Sequence, residues 1–130
     1  MHAWNSDVAA DALLKRDYQC HYRKTKTANF RIKGPQPQEI SIALGRLNGV
    51  TAYVNLNSTA GMPFPEKGID GIDIVQKYPR GYEGINGNPG ISVSVARTNP
   101  SLDPASNDVL RIHVRDDASL DRLLAWYAGN

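Results

Sequence analysis

The stretch from Tyr18 to Lys33, YQCHYRKTKTANFRIK, decides the fold. Tyr18, Cys20 and Tyr22 alternate with Gln19, His21 and Arg23, and Phe30 and Ile32 alternate with Arg31 and Lys33. A period of two is what a half-buried strand produces, because successive side chains point to opposite faces. The residues between the two runs, 24–28, are mostly polar, so the runs predict a hairpin with arginine and lysine on one face. Cys20 is expected to be a small buried hydrophobe on the tyrosine face. Strands that are neighbours in sequence point away from strict strand–helix alternation and toward an antiparallel sheet.

N-terminal to the hairpin, Asn5 or Ser6 can cap a first helix, with Val8, Ala12 and Leu13 as its apolar stripe. Asp7 and Asp11 lie toward its start and Lys15 and Arg16 at its end, the order a helix dipole favours. C-terminal to the hairpin, Gly34-Pro35-Gln36-Pro37 breaks the pattern. Ile40, Ala43, Leu44 and Leu47 then recur at helical spacing, and Asn48-Gly49 reads as the stop of that helix. Val50, Ala52, Val54 and Leu56 form another strand, followed by an irregular loop over 57–68. The segment from Ile69 to Val75 fits a strand or a helical turn. A glycine-rich excursion over 81–90 leads to an alternating run, Ile91 to Val95, and a polar loop leads to Leu110, Ile112 and Val114, an antiparallel strand. Asp117 or Ser119 caps a last helix whose Leu120, Leu123, Leu124 and Tyr127 form one stripe, with Trp126 at the core edge. The sequence therefore predicts one α+β domain over residues 1–130, its mostly antiparallel or mixed sheet packed by two or three helices.

At 130 residues, with 41% hydrophobic and 22% charged, the chain has the size and composition of one globular domain. No apolar run approaches the roughly 18 residues that span a bilayer, and the first residues lack a secretory pattern, so a cytoplasmic protein without membrane association is expected. The single cysteine excludes an internal disulfide, and neither C-x-x-C nor H-x3-H occurs, so no metal or other cofactor is expected.

Net charge is +2, yet the window from Lys15 to Lys33 holds Lys15, Arg16, Arg23, Lys24, Lys26, Arg31 and Lys33 against Asp17 alone. That window carries +6 and leaves −4 for the remainder. Such segregation points to a polyanion or an acidic partner. Lys77, Tyr78, Arg80 and Tyr82 add cations and rings in one stretch, Arg97 stands at a strand end, and Arg111 and His113 share the polar face of their strand. Arginine forks onto phosphate or guanine, and tyrosine stacks on bases. Arg23, Lys24, Lys26, Arg31, Lys33, Lys77, Tyr78, Arg80, Tyr82, Arg97, Arg111 and His113 are thus the candidate DNA-binding residues, and no catalytic residue is assigned. One enzymatic alternative exists. Glu66, Asp70 and Asp73 followed by Lys77 invite comparison with a metal-dependent nuclease, although Val75 stands where such a core places its second acid. Another alternative is an accessory or inhibitor protein docking its basic hairpin on an acidic surface.

Two stretches carry a family resemblance. ISIAL at Ile40–Leu44 with VTAYVNLNS at Val50–Ser58, and SVARTNPSLDPASNDVLRIHV at Ser94–Val114 before DRLLAWYAG, resemble the N-terminal modified-DNA reader domain of McrA-type restriction endonucleases. The resemblance covers under half of the chain. It implies a reader of modified double-stranded DNA, linked to restriction, that feeds an HNH-type zinc nuclease. This chain has no cysteine pair or histidine cluster for that nuclease, so cleavage would fall to a partner polypeptide. Arg97, Arg111 and His113 lie within the second stretch.

Overall fold

The predicted hairpin forms. β1 (Tyr18–Lys24) and β2 (Thr27–Ile32) pair antiparallel, and four more strands follow in the computed structural model, which describes residues 4–24, 26–32, 38–44, 49–57, 63–81, 99–104 and 107–128. They are β3 (Gln38–Ala43), β4 (Val50–Asn55), β5 (Ile72–Tyr78) and β6 (Val109–Val114). Helix α1 (Ser6–Leu14) precedes the sheet, α2 (Asp117–Ala128) follows it, and a 3-10 turn, Pro100–Leu102, lies before β6. The strand order is β1-β2-β3-β4-β6-β5, with every pairing antiparallel. The architecture is α+β, as expected.

Alternation gives the sheet two unlike faces. Ala28 and Phe30, Ile40 and Ile42, Ala52 and Val54, and Leu110, Ile112 and Val114 point to one side, where they are fully buried. Ala9, Ala10 and Leu13 of α1 and Leu120, Leu123 and Tyr127 of α2 close the same cluster. Both helices therefore cover one face, and the α2 stripe is the one the sequence predicts. Asn5 caps α1, its Oδ1 accepting the Val8 N–H at 3.0 Å. The cap of α2 is Asp116, one residue before the expected start, its Oδ1 accepting the Ser119 N–H at 2.8 Å and Oγ at 2.7 Å. Trp126 stands at the core edge, edge-on to Phe64 at 5.1 Å and donating to the Pro63 carbonyl at 3.1 Å.

The expected helix over 40–47 is instead β3. Ile40 and Ile42 are buried while their neighbours Glu39 and Ser41 face the other side. The shorter period governs because β2 supplies a ladder on which two β-branched residues pack well. Leu47 and Asn48 lie outside the described residues. Gly49, read as a helix stop, has φ +87° and leads directly into β4. The ambiguous Ile69–Val75 segment resolves as the start of β5, with Gly71 at φ +83° making the turn before it. The predicted strand over Ile91–Val95 lies outside the described residues, and the strands flanking β6 are β4 and β5.

Candidate nucleic-acid interface

The face away from the helices is polar. One row crosses all six strands in register: Tyr22, Asn29, Ser41, Tyr53, Arg111 and Gln76. Asn29 and Ser41 at its centre are fully buried and hydrogen-bonded to each other at 2.6 Å. Tyr53 and Arg111 are half-buried. Beside this row, Tyr78, Leu102 and Val109 form a small apolar cluster against which Tyr53 packs.

A β-bulge at His21 decides which hairpin residues reach the polar face. The register jumps between Cys20 and Tyr22, so Tyr18 stays with the core while Tyr22 crosses to the opposite side. Lys24 follows onto the polar face opposite Thr27, whereas Arg23, opposite Ala28, points to the helix side and meets Asp7 at 3.3 Å. Cys20 is exposed at the sheet edge rather than buried. Strict alternation predicts the reverse for Tyr22, because one inserted residue inverts everything beyond it.

The buried carboxylate of Glu39 organises the polar face near β2. Its Oε1 accepts the Ser101 N–H at 3.0 Å and Oγ at 2.7 Å, and its Oε2 accepts Arg31 Nη2 at 2.7 Å. His21 Nε2 lies 3.9 Å from the same oxygen. Glu39 is the residue that the sequence reading missed. Its signal is an acid inside an alternating apolar run, which reads as solvent-facing unless a covering element is foreseen. At the far end of the face, His113 packs its imidazole over Gly49, where a Cβ would collide with Nε2.

The candidate residues therefore separate into groups. Lys24, Arg31, Arg111 and His113 share the polar face, and Lys26 sits exposed beside the hairpin turn. Arg23 faces the helices. Lys77 pairs with Leu110 on the core-facing side of β5, and Arg80 lies just beyond that strand, its N–H held by Asp108 at 2.8 Å. β1 and β5 are opposite edges of the sheet, roughly 24 Å apart at about 4.8 Å per strand, so the hairpin and the Lys77–Arg80 stretch do not build one patch. Tyr78 is 1% exposed and cannot stack on a base. Its burial follows from a second bulge at Val75, which turns it onto the apolar cluster. Lys33, Tyr82 and Arg97 lie outside the described residues.

The acids of the nuclease alternative do not converge. Asp73 faces the polar side opposite His113 and meets Arg115 at 3.5 Å, whereas Asp70 meets Arg122 at 3.7 Å. Lys77 points to the other face from Asp73. Among the described residues no group of three or more metal-ligating side chains comes together, and no helix is long and apolar enough to cross a membrane. No protein-family model, curated protein or solved structure matches the chain.

Proposed function

We propose that the chain is a cytoplasmic, non-catalytic DNA-binding module that reads modified duplex DNA, leaving cleavage to a nuclease on another polypeptide. One observation carries the reading. Lys24, Arg31, Arg111 and His113 occupy the face of the sheet that the helices leave, with Lys26 exposed at the adjoining hairpin turn. Cations that share a surface track a phosphate backbone, whereas scattered ones do not. The likeness of the Val50–Ser58 and Ser94–Val114 stretches to a modified-DNA reader supports the choice of duplex DNA and of a modified base.

Titration of a labelled duplex at several salt concentrations tests the proposal. With about five phosphates neutralised, log affinity falls against log salt with a slope of about −4 to −5. A flat response overturns it. Duplexes differing only in base methylation, compared at one salt concentration, test the second half of the reading, which equal affinities would remove.

A further inference from the structure

Among the described arginines, five meet a carboxylate. Arg16 meets Asp117 and Asp121, Arg23 meets Asp7, Arg31 meets Glu39, Arg115 meets Asp73 and Arg122 meets Asp70. Arg80 has no such partner and stands exposed in solvent, which satisfies it. Arg111 is the exception. It is half-buried, none of these ion pairs includes it, and its Nε, like that of Arg31, is buried without a hydrogen-bond partner.

Removing a charge from water without compensation is costly, and buried polar atoms in native proteins are nearly always satisfied. A half-buried guanidinium without a carboxylate partner on a polar face can accept an anion that arrives. Its surroundings name the class of ligand. Tyr53 and Gln76 flank it across the strands, and both carry neutral hydrogen-bonding groups. Val109 and His113 flank it along β6. The cluster of Tyr78, Leu102 and Val109 stands beside it, and low local polarity strengthens a charge interaction there. The acid nearest in register, Asp73 opposite His113, is engaged by Arg115. One cation with neutral donors and an apolar wall suits an oxyanion, and the planar fork of arginine matches phosphate.

We infer that Arg111 is the anion anchor of the polar face and takes a phosphate oxyanion, from either a nucleic-acid backbone or a free nucleotide. For the backbone source the inference rests on the DNA-binding reading. The arginine is then kept for its ligand, not for the fold.

The experiment compares wild type, Arg111→Met and Arg111→Lys. Thermal unfolding is followed alone, with inorganic phosphate and with dAMP, and a labelled duplex is titrated at several salt concentrations. Arg111→Met keeps an unbranched apolar stem without a charge, so its Tm without ligand equals or exceeds that of wild type. It shows no rise with phosphate or dAMP, binds the duplex about tenfold or more weakly, and has a salt slope shallower by about one. Arg111→Lys keeps the slope and loses part of the affinity. A loss of duplex affinity with no wild-type response to phosphate or dAMP supports the backbone as the source. A Tm response abolished by Arg111→Met, with no duplex binding by wild type, keeps the anchor and overturns the DNA reading. Unchanged duplex affinity in Arg111→Met overturns the anchor and keeps that reading. A Tm for Arg111→Met well below wild type shows a structural arginine and overturns the inference.

Discussion

The Tyr127 hydroxyl donates to the main-chain carbonyl of Glu39 at 2.6 Å and accepts the Asn55 N–H at 3.1 Å. β3 and β4 pair directly only at Ser41–Tyr53 and Ile42–Ala52. Continuing that register sets Glu39 opposite Asn55, and the hydroxyl from α2 bridges the gap there. Burial pushes this hydroxyl far above the ordinary tyrosine value, so it remains a neutral donor. Tyr127→Phe removes the hydroxyl from a buried carbonyl and a part-buried N–H, and the expected loss is about 1–3 kcal/mol. Urea unfolding at constant m-value measures it.

Glu39 also ties β2 to the 3-10 turn through its side chain. Glu39→Ala removes the acceptor of Ser101 and Arg31 together. Because Arg31 is 41% exposed, its share is small. The Ser101 bonds dominate, and the expected cost is about 2–3 kcal/mol. Amide exchange at Ser101 should accelerate more than exchange in α2, which places the loss at the turn.

Gly49→Ala meets two penalties, a positive φ and the His113 ring. Its expected cost is about 1–3 kcal/mol. In a double-mutant cycle, His113→Ala relieves the collision and leaves the backbone term, so the two changes couple favourably. Additive losses would show that the imidazole moves aside freely.

Acid weakens the seat of α2. Asp121 is held below its ordinary value by its hydrogen bond from Arg16, and Asp116 by the Ser119 hydroxyl. A carboxyl depressed in the folded state contributes stability above its unfolded value and loses it as pH falls through the folded one. Tm should stay level from neutrality to about pH 5 and fall below about pH 4. Asp121→Asn lowers the plateau and makes the acid decline shallower.

Lys24→Ala with Lys26→Ala tests the hairpin separately from Arg111. Each lysine on a phosphate contributes about 0.9 to the salt slope, so the pair makes it shallower by about two while thermal stability stays near wild type. An unchanged slope removes the hairpin from the interface.

Local rules made much of this fold readable. The β1–β2 hairpin, β4, β6 and the α2 stripe follow from periodicity alone. β3 did not, because Ile40, Ala43 and Leu44 satisfy helical spacing while Ile40 and Ile42 satisfy the strand, and only the ladder from β2 chooses. The two bulges were invisible for a related reason. A single extra residue at His21 or Val75 leaves composition untouched yet moves Tyr22 onto the polar face and Tyr78 into an apolar cluster. The site was legible as residue types, with Arg111 and His113 on one side of β6. Its assembly was not, because the strand order that parts Lys77 from the hairpin is a tertiary property.

The bulge at His21 has a practical consequence. It leaves the protein's single thiol, Cys20, exposed at the outer edge of the sheet on the side opposite Arg111. A maleimide dye placed there needs no engineered residue and stays clear of the polar face. Its emission can report ligand arrival from across the sheet without competing for it.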